Sequence, residues 1–414
     1  MQKETTSENS ALAFTPKYDV KHWTRGKWFL ELNYRIYHAI MGPWVRRHFS
    51  YEARTFTPKS RTYLVLANHT NDLDPFFLGM MFPHYFRFVS TESILRKPFT
   101  GPLISFLQRP IGRRKGKSGA EASYYIRQNL ENGISVAMFP EGVRTINGKT
   151  GFISPKTAEL LKNTGAGLIN CRIYGAYLCN PLWSRFKRKG HVWAEMVREY
   201  TAEELSEMSI DEINEAISND LRVNAYDVQR KKMLPYPGDD LAGGLENVLY
   251  LCPKCLKFDG LGSSGNIYRC SCGFEVTLDE YGFFSGDDLP FDNVCDWETW
   301  QRSRLAEYSK EWASEKGRQI CGQHEVCLTR LENSETDTVI SDAEMTLYSD
   351  GLVFENGRET VRYPLSDIDE VSNFRSTALI FTVKGVRYEV RTGYSWPVFR
   401  YIALIRLLIG KKYL

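Results

Sequence analysis

Between residues 60 and 195 short apolar runs alternate with stretches of helical periodicity, and this alternation restricts the fold more than any other feature of the chain. The runs "TYLVLANH", "FRFVST", "ISVAMFP", "GLINCRIYGA" and "HVWAEMVREY" have strand length. Between them, "DPFFLGMMF", "PFTGPLISFL", "SGAEASYYIRQNLENG" and "SPKTAELLKNTG" repeat their apolar positions at helical spacing. Such alternation predicts a layered α/β domain. Helical patterns over 201–235 close it, and the Pro-, Gly- and Asp-rich "LPYPGDD" marks a boundary. The predicted organisation is a polar tail over 1–22, an α/β domain over 23–235, a cysteine-bearing segment over 248–284, a helical linker over 290–320 and a β-rich domain over 335–414.

The α/β domain opens on "WTRGKWFLELNYRIYHAIMGPWVRR", residues 23–47, where Phe29, Leu32, Ile36 and Ile40 recur at helical spacing. Trp23, Trp28 and Trp44 flank them, among Arg25, Lys27, Arg35, Arg46 and Arg47. Two readings stand equally: an amphipathic helix lying in a membrane interface, or a helix packed on its own domain. Charge bears on the choice. Residues 1–200 hold 30 Lys/Arg against 14 Asp/Glu, and residues 201–414 hold 23 against 36. The basic half implies an anionic partner, and the acidic half argues against a protein that coats nucleic acid. No run of about 20 apolar residues is present, so the expectation is a chain that lies on a membrane without crossing it. The start "MQKETTSENS" lacks an apolar leader, and nine cysteines without one predict a reducing compartment.

Chemistry concentrates in "NHTNDLDP", residues 68–75, directly after an apolar strand. Asp74 before Pro75 is what a helix N-cap and first position would show, but that leaves Asn68 and His69 unexplained. A histidine with a carboxylate five residues on, across a tight turn, makes a base and its orienting partner. No serine or cysteine nucleophile stands beside it, so the hydroxyl to be deprotonated belongs to a substrate. A second stretch, "VAMFPEGVRT" over 136–145, again runs from a strand into a Pro-Glu-Gly turn, with Arg144 two residues past Gly142. Between them lies the basic, Gly-rich "QRPIGRRKGKSG" over 108–119. Arg113 and Arg144, at the ends of core elements, offer planar bidentate donors suited to phosphate.

In order and spacing these stretches resemble the glycerolipid acyltransferase superfamily, which includes the 1-acylglycerol-3-phosphate acyltransferases. Asn68, His69 and Asp74 match its Asn-His-x4-Asp motif, and Phe139, Pro140, Glu141, Gly142 and Arg144 match Phe-Pro-Glu-Gly-x-Arg. The motif between them usually ends Ile-Asp-Arg; here Ile111 and Arg113 enclose Gly112 instead of aspartate. The later strand of the family is matched by "GLINCRIYGA" without its proline, and the resemblance spans about residues 25–230. It implies that His69 and Asp74 are catalytic and that Arg113 and Arg144 bind the acceptor phosphate. Glu141 and Gly142 would shape the acceptor site, and Lys97 is a weaker candidate for the same anionic pocket. The implied reaction moves an acyl group from acyl-CoA or acyl carrier protein to the free hydroxyl of a lysophospholipid, 1-acylglycerol 3-phosphate, giving phosphatidic acid. It takes place at the cytoplasmic face of a membrane, without a redox cofactor. Other acceptors, such as glycerol 3-phosphate or a lyso-amino-lipid, and a non-catalytic lipid-binding scaffold are the competing readings.

The back half adds "CPKC" at 252–255 and "CSC" at 270–272. Cys252, Cys255, Cys270 and Cys272 are four thiols in two pairs, which predicts a structural zinc in a ribbon-like segment. The second pair is one residue shorter than is usual for a ribbon. Few basic residues surround it, so nucleic acid is not the expected partner. The last 80 residues, strand-like and ending in "WPVFRYIALIRLLIG", resemble a pleckstrin-homology-like barrel capped by one helix. No dense basic cluster occupies their early loop, so headgroup binding is not expected there.

Overall fold

Strand β2 (Tyr63–Ala67) is buried on both faces, as a central parallel strand must be, and the first part of the molecule is organised about it. The computed structural model describes residues 27–91, 100–113, 120–162, 164–258, 260–332, 335–374, 377–394 and 396–411. The polar tail, Trp23, Arg25 and Lys97 lie outside the described residues. The chain divides into two compact units. One comprises Met1–Val143, Phe152–Ala176 and Val192–Val223; the other comprises Arg144–Gly151, Tyr177–His191 and Asn224–Leu414. The division therefore does not follow the linear boundary near residue 235, because two short insertions of the first 200 residues belong to the second unit.

In the first unit, helix α1 (Lys27–Phe49) and short strand β1 (Glu52–Ala53) precede β2. There follow α2 (Asp74–Gly79), β3 (Arg87–Thr91), α3 (Thr100–Gln108), β4 (Ile111–Arg113), α4 (Ala120–Glu131) and β5 (Val136–Met138). Next are α5 (Lys156–Lys162), β6 (Gly167–Tyr174), β7 (Trp193–Tyr200), α6 (Ala202–Glu207) and α7 (Ile210–Asp220). The strands form one sheet in the order β1-β7-β6-β2-β5-β3-β4. β6, β2, β5, β3 and β4 run parallel, and β7 is antiparallel to β6. Leu64, Leu66 and Val136 of the sheet pack with Ile126 and Leu130 of α4, Leu160 of α5 and Ile213 and Ile217 of α7. "TAEE" and "SIDE" close capping boxes on α6 and α7, each serine or threonine paired with a glutamate three residues on.

Helix α1 has apolar residues on two faces. Leu30, Tyr34, Val45 and Phe49 are buried, and the Tyr34 hydroxyl donates to the Gly79 carbonyl at 2.8 Å. Trp28, Leu32, Ile36, Ile40 and Trp44, spaced by four, are exposed. Packing on its own domain thus uses residues that periodicity alone did not select; of the set it did select, Leu32, Ile36 and Ile40 are left in solvent and Phe29 is half-buried against Leu30 and Tyr34.

The second unit contains α8 (Ala225–Lys232) and a four-stranded sheet, β8 (Leu261–Ser264), β9 (Ile267–Cys270), β10 (Glu275–Leu278) and β11 (Phe284–Ser285). Helix α9 (Val294–Ser314) follows. A seven-stranded antiparallel sheet comes next: β12 (Gln319–Glu332), β13 (Glu335–Tyr348), β14 (Gly351–Glu355), β15 (Thr360–Pro364), β16 (Ile368–Phe374), β17 (Ala378–Val383) and β18 (Val386–Thr392). Its order is β15-β14-β13-β12-β18-β17-β16, and helix α10 (Val398–Leu408) closes the chain. Phe354 on β14 stacks on Phe381 of β17 with centroids 6.4 Å apart, although three strands separate them in the sheet. The sheet is therefore curled so that its inner faces meet. The β-rich region begins at Gln319, earlier than the expected residue 335, because β12 pairs with both β13 and β18.

Candidate active site

In parallel sheets the carboxyl ends of the strands gather chemistry, and three of the motifs emerge there. β2 and β5 are neighbours with Leu66 opposite Met138, so the segments after them, 68–74 and 139–142, leave the sheet side by side. β4 brings Arg113 to the same edge, opposite Thr91.

Asn68 ends β2 and is buried. Its side chain donates to the Ile173 carbonyl at 2.9 Å and accepts from the Ile173 N–H at 2.8 Å, an amide clamp onto β6. His69 follows, one-fifth exposed, with Nδ1 2.9 Å from Oδ2 of the fully buried Asp74. A carboxylate can only accept, so the imidazole carries its proton on Nδ1 and presents the Nε2 lone pair. The same Oδ2 accepts from the backbone N–H groups of Thr70 at 2.5 Å and Asn71 at 2.8 Å. The Thr70 hydroxyl reaches Oδ1 at 3.3 Å. The Asn71 side chain accepts from Leu73 N–H at 3.0 Å and donates to the Ala176 carbonyl at 2.9 Å. Asp74 is thus the first residue of α2, whose N-cap is Leu73 without a side-chain bond. Its carboxylate serves the turn behind it rather than the helix ahead, which corrects the simple N-cap reading.

The second segment supports the histidine from the other side. Glu141 accepts the His69 backbone N–H at 2.7 Å. The Phe139 ring stacks on the imidazole, centroids 4.4 Å apart and 17° from parallel. Gly142 donates to the Phe139 carbonyl at 3.0 Å with φ +72°, a left-handed turn that suits glycine. A Cβ on Gly142 would stand 2.6 Å from Arg113 Nη1, so the guanidinium covers this turn directly. Arg113 itself is exposed, and the half-buried Gly112 precedes it.

Of the residues singled out by sequence, His69, Asp74, Arg113, Glu141 and Gly142 converge at one end of the first unit's sheet. Arg144 opens a segment of the second unit. Cys252, Cys255, Cys270 and Cys272 also come together within the second unit, their sulfurs all within 4.8 Å of one another, close enough to hold a metal ion. Sequence reasoning assigned no role to Thr70 or Asn71, and none to the Phe139 ring beyond its place in a motif. The density of Asn, Asp and Thr between a strand and a proline was the available signal, since such residues wire turns through side chain–backbone bonds.

The dyad, with an open Nε2 and a guanidinium nearby, can remove a proton from a bound hydroxyl and hold an anionic group. Residues 48–174 match the family model described as Acyltransferase. A 1-acyl-sn-glycerol-3-phosphate acyltransferase of Borreliella burgdorferi is 25% identical over 118 residues, 28% of this chain and 47% of that protein. The chain thus spans about half the length of the curated relative it matches. Among solved structures, an LPA acyltransferase, PlsC, from Thermotoga maritima aligns at 17% identity over 50% of this chain and 97% of that one, with a TM-score of 0.38. The N-terminal PH domain of Vps36 aligns at 16% identity over 22% of this chain and 80% of that one, with a TM-score of 0.20. Residues 48–174, which carry His69, Asp74, Arg113, Glu141, Gly142 and Arg144, thus match the Acyltransferase family model and resemble the glycerolipid acyltransferase superfamily.

Proposed function

We propose that the chain transfers a fatty acyl group from a thioester donor, acyl-CoA or acyl carrier protein, to the free hydroxyl of 1-acylglycerol 3-phosphate. The observation that carries this reading is the buried Asp74 fixing His69 Nδ1 at 2.9 Å, which leaves Nε2 as an oriented base. His69 Nε2 takes the hydroxyl proton as the oxygen bonds to the thioester carbonyl carbon. The tetrahedral intermediate collapses by breaking the C–S bond, and the departing thiolate takes the proton back from the imidazolium. Asp74 stabilises that imidazolium and keeps its tautomer. Arg113 and Arg144 pair with the acceptor phosphate. Glu141 holds the His69 backbone in place, and Gly142 lets the turn form under Arg113.

No helix among the described residues is long and apolar enough to cross a membrane. The exposed stripe of α1, with Arg35, Arg46 and Arg47 beside it, supports a peripheral placement on an anionic leaflet, taken here as the cytoplasmic face. Gly112, in place of the aspartate usual in the family, favours keeping a second acceptor class in view, because it removes a carboxylate next to Arg113.

The test is an acyl-transfer assay with labelled donor against 1-acylglycerol 3-phosphate, glycerol 3-phosphate and uncharged or zwitterionic lysolipids. Transfer fastest to 1-acylglycerol 3-phosphate is the expected result. Preference for another acceptor would keep the mechanism and replace the substrate. No transfer to any acceptor by folded, vesicle-bound protein would leave the scaffold reading in its place.

A further inference from the structure

The paired turns of the second unit carry a feature that acyl transfer does not use. Cys252 and Cys272 sulfurs lie 3.8 Å apart, and Cys255 and Cys270 sulfurs 3.7 Å apart. Both are far beyond a covalent S–S bond of about 2.05 Å. Both match the edge of a tetrahedron whose corners are thiolates about 2.3 Å from a central zinc, roughly 3.8 Å. All four sulfurs lie within 4.8 Å of one another, so they surround one point rather than forming two separate pairs.

The backbone around them turns tightly at each pair. After Cys252 the chain turns back, Leu256 N–H to the Cys252 carbonyl at 2.9 Å and Cys252 N–H to the Lys257 carbonyl at 3.1 Å. Leu256 holds φ +59°, a conformation a branched side chain adopts only when its surroundings impose it. At the second turn Gly273, at φ +87°, donates to the Cys270 carbonyl at 3.0 Å, and Cys270 N–H reaches the Phe274 carbonyl at 2.7 Å. The Cys-x-Cys spacing, one residue short of the usual pair, still closes because β9 ends at Cys270 and this turn swings Cys272 over.

We propose that Cys252, Cys255, Cys270 and Cys272 bind one zinc ion as four thiolates, and that the ion fastens the turns beneath helix α9. A four-sulfur tetrahedron suits zinc or iron; a site closed on its four ligands and joined to a folding core assigns the structural ion. That core is aromatic. Trp297 of α9 contacts Phe274 at 5.6 Å, Tyr268 at 5.7 Å and Phe284 at 5.7 Å, and its indole N–H donates to the carbonyl of Leu251, the residue before Cys252. Gln301, one turn on, accepts the N–H groups of Tyr250 and Leu251 at 2.7 and 2.9 Å. The segment leading into the first cysteine pair and Phe274, two residues past the second, are both pinned to one helix.

The experiment is elemental analysis of the purified full-length chain, with release of metal to a chromophoric chelator after thiol modification. One zinc per chain is expected. Cys272 is exposed, so Cys272→Ser removes a ligand without opening a core; it should release zinc at least tenfold faster, while Cys327→Ser, outside the cluster, should not. A chain loaded with cobalt in place of zinc should show the intense visible bands of tetrahedral thiolate coordination, which keeps the test valid if Cys272→Ser fails to fold. Metal-free protein with four reactive thiols would overturn the proposal. So would iron in place of zinc, an octahedral cobalt spectrum, or Cys272→Ser holding zinc as tightly as Cys327→Ser.

Discussion

The loop over residues 68–74 and the paired cysteine turns are both short, polar and dense in backbone hydrogen bonds, yet they are completed in different ways. In the loop, every group that positions His69 is the chain's own: Asp74 Oδ2 gathers an imidazole and two backbone N–H groups, and Asn68 and Asn71 fasten the two ends. In the turns the backbone aims four sulfurs at one point, all within 4.8 Å of one another, as ligands for an ion that the chain does not itself provide. Four thiols at van der Waals distance attract one another weakly, and four thiolates repel. A site that must react with a passing substrate is best finished before the substrate arrives, whereas a site whose task is cohesion can take its energy from the ion. The comparison predicts that the loop tolerates chelators and fails by point substitution, and that the turns fail when the ion is withdrawn.

The largest effect falls on the loop. His69→Ala should lower acyl transfer by ~10²–10⁴-fold, the usual contribution of a general base, with thermal stability near that of the parent. Asp74→Asn should be comparably severe, since an amide in that place can donate to Nδ1 and select the wrong tautomer. Asp74→Ala should also destabilise the first unit, by about 2–5 kcal/mol, because the Thr70 and Asn71 N–H groups lose a buried acceptor. Rates from purified variants beside their melting curves check this. Turnover within a few-fold of the parent in His69→Ala would remove the proposed chemistry.

Chelation comes next. Stripping the metal should destabilise the second unit by at least ~3 kcal/mol, since binding free energies at structural zinc sites are of order 10 kcal/mol and are spent on folding. Trp297 fluorescence should report the loss, because its contacts with Tyr268, Phe274 and Phe284 depend on the turns. The transfer rate per folded molecule should change little. Loss of activity in step with zinc, with the first unit still folded, would break the separation drawn between the two regions.

What the sequence disclosed about these regions follows from how local their wiring is. Asn68, His69 and Asp74 lie within seven residues, and the cysteines fall into two tight pairs, so both stretches stand out locally, the first once the Pro-Glu-Gly turn is set beside it. The strands β2, β5 and β6 were legible for the same reason, as apolar runs bounded by polar turns. Features that depend on distant pairing were not. β12 joins the seven-stranded sheet through partners up to 66 residues away, Val326 opposite Thr392, so its Gln319 start has no local signal. The assignment of Arg144–Gly151 and Tyr177–His191 to the second unit is equally non-local. On α1 the apolar positions occupy two faces, and periodicity cannot say which one the domain covers. The service of Asp74 to the turn behind it was hidden because Asp-Pro is also an ordinary helix start.

A smaller effect probes how tightly the finished loop is built. Gly142→Ala should slow transfer by about tenfold and cost about 1–3 kcal/mol. The added methyl meets Arg113 Nη1 at 2.6 Å, and the left-handed φ of +72° is unfavourable for alanine. The arginine is exposed and can withdraw, so the rate loss should appear mainly as weaker acceptor saturation. An unchanged acceptor KM, with acyl-donor saturation affected instead, would place Arg113 on the donor side.

The smallest expected effect is the most discriminating. Glu141 accepts the His69 backbone N–H at 2.7 Å, which is a positioning contact and needs an acceptor oxygen more than a charge. Glutamine keeps that oxygen. A neutral acceptor in place of a charged one weakens the bond by about half, on the order of 1 kcal/mol, so Glu141→Gln should slow transfer only about fivefold, with the acceptor KM nearly unchanged. Glu141→Ala leaves the N–H without this partner and should fall well below Glu141→Gln, again in kcat. If Glu141 instead binds the acceptor's glycerol hydroxyl, both variants should raise the acceptor KM together, and the amide should give little rescue. Kinetics of the two variants with acceptor and donor varied separately decide between these roles. A Glu141→Gln enzyme as impaired as Glu141→Ala would mean that the carboxylate charge itself is needed, and that the loop is not complete until substrate binds.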